Sequence, residues 1–162
     1  MALAAARARN AKANCAGRRA VVVGGTSGIG HGIAMRLAKA NFGVTIVGRN
    51  AERGKEIVAQ LTALGGQSHE FMACDATLIS NLRAFAGEYA KKYPALDVLV
   101  ETQGIASVEG RVETAEGIDQ KLALHYYGRM ALIEVRGLQY YIYVNRYIGC
   151  MHDIVVLFQR TH

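Results

Sequence analysis

Short β-branched runs alternate along the chain with longer stretches whose apolar residues recur at helical spacing. Arg19 to Gly24, Gly43 to Gly48, Gln67 to Ala73 and Leu96 to Glu101 read as strands. Gly30 to Ala40, Ala51 to Leu64, Asn81 to Lys92 and Glu116 to Val135 read as the helices that follow them. Gly65 and Gly66 close the second helix, and Pro94 separates the third helix from the fourth strand. Each strand-helix pair takes about 30 residues, the length of a βαβ unit. The order predicts an α/β fold, a doubly wound parallel sheet with helices on both faces, truncated after about four pairs. An N-terminal helix or extension over 1–18 precedes this unit at 19–136. A tail over 137–162 offers two candidate strands, Gln139 to Val144 and Ile154 to Phe158, with no recognisable helix between them.

A length of 162 residues suits one hydrophobic core and not two ordinary domains. The formal charge is +6, from 19 basic and 13 acidic side chains, and its distribution is uneven. Arg7, Arg9, Lys12, Arg18, Arg19, Arg36, Lys39 and Arg49 all precede the first acid, Glu52. Such a field suits phosphate, nucleic acid or an anionic membrane surface. The basic N-terminal region has no interleaved aromatic platform, so a nucleic-acid partner is not expected. No apolar run approaches the ~18 residues of a membrane span, and no membrane partner is expected. Three widely spaced cysteines suggest neither a disulfide framework nor a paired zinc motif. The expected location is cytoplasmic, with mitochondrial as the alternative because Ala2 to Asn14 has the composition of a presequence.

The most informative segment is Val23-Gly24-Gly25-Thr26-Ser27-Gly28-Ile29-Gly30, placed after a predicted strand and before a predicted helix. Gly24 permits a sharp turn, Gly28 lets the backbone approach a pyrophosphate, and Gly30 permits close packing of helix on strand. The exposed amides at the helix start attract an anion. Gly24, Thr26, Ser27, Gly28, Ile29 and Gly30 are therefore the candidate phosphate cradle. A carboxylate at the end of the second strand would accept ribose hydroxyls and repel a 2′-phosphate. This chain has Gly48 there, followed by Arg49, whose guanidinium can clamp a 2′-phosphate or stand solvated at a strand end. NADP(H) is the expected cofactor, NAD the less favoured one.

The spacing Gly24, Gly28, Gly30 resembles the glycine fingerprint of the short-chain dehydrogenase/reductase family, and the likeness extends over roughly residues 20 to 135. The fold it implies is Rossmann-like. The resemblance places Asp75 and Ala76, in Cys74-Asp75-Ala76, against the adenine ring, although by spacing alone Asp75 equally suits a turn cap leading to Ser80. Leu96-Asp97-Val98-Leu99-Val100-Glu101-Thr102-Gln103-Gly104 is similar to the family's fourth strand and its N-N-A-G segment. Only Gly104 is retained, as backbone passing beside the cofactor ribose. His125 falls where the family has an asparagine that braces the site, and there it can hold a water or backbone group or simply pack.

Family chemistry is hydride transfer to or from a carbonyl or alcohol, assisted by serine, tyrosine and a lysine four residues after the tyrosine. Tyrosine's ordinary pKa of ~10 needs that lysine to lower it. No Tyr-x-x-x-Lys occurs here; the last lysine is Lys121 and the last serine Ser107. Tyr141 and Asn145 have the spacing without the charge. No catalytic residue is assigned, and turnover is not expected from this chain. A changed reading frame, a retained intron or a shortened piece would each account for the missing half. Cys150-Met151-His152-Asp153 is too clustered to be a metal site without a distant fourth ligand. The alternative to an oxidoreductase is a non-enzymatic module that senses or sequesters NADP(H). The substrate is unknown. A sheet ending at Leu96 to Glu101 would leave an apolar edge open to self-association. The tail, especially Gln139 to Val144, or a partner is expected to cover it.

Overall fold

In the computed structural model, β1 (Arg19–Val23) turns its side chains alternately to two faces. Val21 and Val23 join one apolar cluster, Ala20 and Val22 the other. A strand buried on both faces needs such a run of β-branched residues, each contributing roughly 1.5–3 kcal/mol on burial. The structure describes residues 14–65, 67–106 and 109–134, and the backbone of Tyr140–Asn145 and Ile154–Gln159. The predicted helix at Ala2 to Asn14 and the Cys150 to Asp153 group lie outside the described residues, apart from Asn14.

The predicted alternation is present: α1 (Gly28–Lys39), β2 (Gly43–Gly48), α2 (Ala51–Ala63), β3 (Glu70–Ala73), α3 (Ile79–Lys92) and β4 (Val98–Glu101). The four strands lie parallel in the order β3-β2-β1-β4. Chain direction across the sheet thus reverses beside β1, and ligands of open α/β sheets settle at such a switch point, outside the carboxyl ends of the strands. Helices α1 and α2 cover Ala20, Val22, Val44, Ile46, Val98 and Val100, while α3 covers Val21, Val23 and Leu99.

Two expectations are corrected. The helix predicted from Glu116 begins instead at α4 (Gln120–Leu122), continues through a π-helical segment at Ala123–Tyr127 and ends in α5 (Gly128–Glu134). Gly117 adopts a positive φ of 73°, which breaks the helix, and Asp119 caps the new start by accepting from the Lys121 and Leu122 amides. Glu116 is thereby released to cap another helix, its carboxylate accepting from the amides of Ile79 at 2.7 Å and Ser80 at 2.9 Å at the head of α3. Those bonds and the Ser80 hydroxyl hold the Glu116 carboxyl below its ordinary range.

The second correction concerns the edge at β4. The nearer tail strand does not cover it: β6 (Ile154–Gln159) pairs antiparallel with β4, and β5 (Tyr140–Asn145) pairs outside β6. The full order is β3-β2-β1-β4-β6-β5, so β4 is internal and the tail covers its edge by backbone pairing, through its second strand and not through the first. A hairpin supplies two mutually paired strands, and only its second arm reaches β4.

Candidate functional site

The sheet switch point opens into a cleft of about 180 Å³. Gly24, Thr26, Ser27, Arg49, Asp75, Ala76 and Gly104 line it, so residues predicted from four separate segments share one surface. Gly28, Ile29 and Gly30 form the first turn of α1 at its side. Val23, Val47, Gly48, Cys74, Thr77, Thr102, Gln103 and Leu124 complete the wall.

Each glycine of the turn meets a different demand. Gly24 has φ +81°, and a Cβ there would lie 2.8 Å from the Gln103 amide nitrogen. A Cβ on Gly30 would lie 2.4 Å from the Gly24 carbonyl oxygen and 2.4 Å from Thr102 Oγ1, so α1 rests directly on the turn. Gly28 has φ +53° and faces open space. Gly30→Ala is expected to cost about 1–3 kcal/mol through overpacking; an unchanged urea midpoint would contradict this close packing.

Thr102 ties the end of β4 to the end of β1, its amide and its Oγ1 each donating to the Val23 carbonyl at 2.9 Å. Ser27, the N-cap of α1, makes no side-chain cap bond, and the first turn carries no acid. The first helical amide to find a partner is that of His31, donating to Ser27 O at 3.2 Å. The amides before it have no intrahelical carbonyl to bond, as at any helix start.

Asp75 plays the turn-cap role: Oδ1 accepts from the Thr77 amide at 3.0 Å and the Thr77 hydroxyl at 2.8 Å while the residue lines the cleft. Beside it, burial and the Asp75 charge push the Cys74 thiol up to about 11, leaving it a packing residue. His125, in the π-helical segment, holds backbone: Nε2 lies 3.2 Å from both the amide and the carbonyl of Ile105, and the ring packs against Gly104.

A buried polar cluster under the cleft was not anticipated. Glu101 is fully buried, and Gln103 and Arg129 are each 5% exposed. Arg129 Nη2 donates to the Gln103 carbonyl at 3.1 Å. Neither oxygen of Glu101 reaches a partner in hydrogen-bond geometry among the described residues. Burial pushes its carboxyl up to about 8, against the opposing pull of the Arg129 charge and the Gln103 amide. The sequence did signal this site, since Glu101 interrupts an otherwise apolar strand.

A family model described as short chain dehydrogenase matches residues 18–133. The 3beta-hydroxysteroid dehydrogenase of Mediterraneibacter gnavus is 42% identical over 99 residues, 61% of this chain and 36% of that protein. The chain spans about a third of the length of the curated relatives it matches. A metagenomic short-chain oxidoreductase in complex with NADP superposes with a TM-score of 0.66 at 27% identity, over 74% of this chain and 55% of that one. An NADH-dependent reductase, A1-R′, complexed with NAD shares the fold with a TM-score of 0.61 at 21% identity, over 74% and 50%. No helix among the described residues is long and apolar enough to cross a membrane.

Proposed function

The chain belongs to the short-chain dehydrogenase family, and from that premise we propose that its cleft binds a nicotinamide dinucleotide, NADP(H) in preference to NAD(H). The observation that carries this reading is the first turn of α1. Its amides lack an acidic or side-chain cap and stand beside the left-handed Gly28, which faces open space. Ser27, Gly28, Ile29 and Gly30 hold the diphosphate, with Gly24 making the turn. Asp75 and Ala76 flank the adenine, Gly104 passes the ribose, and Arg49 meets the 2′-phosphate. When bound, the coenzyme supplies or accepts a hydride at its nicotinamide ring.

The accompanying proton needs a poised acid or base, and the chain has no Tyr-x-x-x-Lys to provide one. The flank of β4 is moreover occupied by the antiparallel β6. These two observations favour binding without turnover, as a module that senses or sequesters NADP(H). The family's carbonyl or alcohol oxidoreduction is the second reading, drawn from the relatives' dehydrogenase names.

Calorimetric titration of the full chain with NADPH and NADH tests the proposal. Heat with NADPH is expected, and silence with both coenzymes overturns it. Arg49→Gln is expected to weaken NADPH by roughly ten- to a hundred-fold, the size of one lost charge-assisted contact, while NADH is little affected. Equal NADPH affinity in that variant would remove Arg49 from the site.

A further inference from the structure

The segment that follows β4 is held from several sides. Thr102 is bonded to the Val23 carbonyl of β1, Arg129 Nη2 donates to the Gln103 carbonyl at 3.1 Å, and His125 holds the backbone of Ile105. His125 and Arg129 stand four residues apart on one helical stretch, and together they bracket Gly104. Gln103 and Gly104 line the cleft, and the Gln103 amide nitrogen is the atom that a Cβ on Gly24 would meet at 2.8 Å. The wall that Arg129 fixes is thus also the surface on which the glycine turn rests.

The guanidinium that performs this task has a competing acceptor. Glu101 lies two residues before Gln103 and is fully buried. The Arg129 charge is close enough to pull on its carboxyl, yet neither carboxyl oxygen has a hydrogen-bond partner among the described residues. A neutral carboxyl leaves the guanidinium to the Gln103 carbonyl. An ionised one is the better acceptor, since charge-assisted bonds are roughly twice as strong as neutral ones. Other ionisable groups near Glu101 do not compete. Its register partners are Val23 of β1 and Val155 of β6, and β6 contains no ionisable residue. From α3 comes the phenol of Tyr89, beside Leu96 and Leu99, and after β3 the thiol of Cys74, held up at about 11. On the π-helical segment His125 is engaged with Ile105, and Glu134 of α5 is exposed.

Resting on the dinucleotide reading above, we infer that Arg129 positions the wall of the cleft and that ionisation of Glu101 draws it off the Gln103 carbonyl, so that dinucleotide binding and a proton on Glu101 favour each other. With the carboxyl neutral, Gln103 and Gly104 stay where the coenzyme and the Gly24 turn need them. With it ionised, its proton has passed to solvent and Arg129 turns to the carboxylate. The Gln103 carbonyl then loses its donor, a costly loss for a buried acceptor, and the chain beside Gly104 loosens. Coupling between two ligands is reciprocal, so a bound dinucleotide tightens the hold of Glu101 on its proton. The device does not involve the 2′-phosphate and therefore acts alike on both coenzymes.

Calorimetry of the full chain with NADPH and with NADH from about pH 7 to about pH 9 tests this, with circular dichroism to register folding at each pH. Affinity for both coenzymes is expected to fall about ten-fold across the range, the most that one carboxyl ionising at about 8 can impose. At about pH 8, titrations in buffers of different ionisation enthalpy should show uptake of roughly half a proton on binding. The 2′-phosphate, with a pKa of ~6, is already ionised there. Glu101→Gln should lose both the slope and the proton uptake. Arg129→Lys keeps the charge without the fork and should weaken both coenzymes about five-fold at neutral pH; if it fails to fold, the comparison with Glu101→Gln decides. A flat wild-type profile without proton uptake, a slope that Glu101→Gln retains, or full affinity in folded Arg129→Lys would each overturn the inference. A loss confined to NADPH would place the slope at the 2′-phosphate and overturn it as well. If the wild type unfolds before the upper end of the range, the proton count at about pH 8 decides. If Arg49→Gln is selective for NADPH while no slope depends on Glu101, the nucleotide reading stands and this inference fails. If the wild type binds neither coenzyme, both fall.

Discussion

Folding stability is expected to fall as pH rises from about 4.5 to about 8, and Glu101→Gln is expected to abolish most of that slope. The sign follows from the buried carboxyl of Glu101, which burial raises from the ordinary value of 4.5 to about 8. Below pH 4.5 the group is protonated in both folded and unfolded chains and contributes no difference. Between the two values the unfolded chain ionises while the folded one keeps its proton. Each pH step upward therefore favours unfolding, until the folded carboxyl also ionises. The accumulated loss is on the order of 5 kcal/mol, comparable to the whole stability of a small domain. Glutamine keeps the shape and never ionises, so the variant should match wild type in acid and exceed it near pH 8. Urea unfolding across this range measures both curves. The opposite outcome, a variant weaker than wild type at every pH, would mean that Glu101 is ionised against Arg129 in the folded protein, since removing one partner of a buried ion pair is strongly destabilising.

NADPH mixed with the chain and a panel of carbonyl compounds is expected to keep its reduced-nicotinamide absorbance, although calorimetry registers binding. A positioned acid-base group contributes roughly 10²- to 10⁴-fold to rate. The chain has eight tyrosines, none followed four residues later by a lysine. Asn145, four residues after Tyr141, is neutral and cannot supply the lysine's positive charge. Steady consumption of NADPH with any carbonyl substrate would show that another group donates the proton and would restore the oxidoreductase reading for this chain alone.

Local patterns made the sheet and the glycine turn legible. The alternation of Val21, Val22 and Val23 between two clusters is a property of strand geometry, and Gly24, Gly28 and Gly30 are demanded by turn and contact geometry within one short segment. The positions of Arg49, Asp75 and Gly104 at strand ends followed once the strands were placed in order, because a parallel sheet gathers those ends on one side.

What the sequence by itself determined is thus what short-range periodicity encodes: the four strand-helix pairs, the glycine turn and the absence of a Tyr-x-x-x-Lys. Tertiary structure alone decided the rest. Arg53 meets Thr26 across 27 residues, and Glu116 meets the head of α3 across 37, through hydrogen bonds that no local pattern announces. It also decided that β6 and not β5 lies against β4, and that Glu101 is fully buried, with its carboxyl pushed up by that burial against the pull of the Arg129 charge. The physical reason is the same in each case. Periodicity reports which face of an element is apolar, while the partner of a polar group or a strand edge depends on which distant segment the packed sheet brings within hydrogen-bond reach.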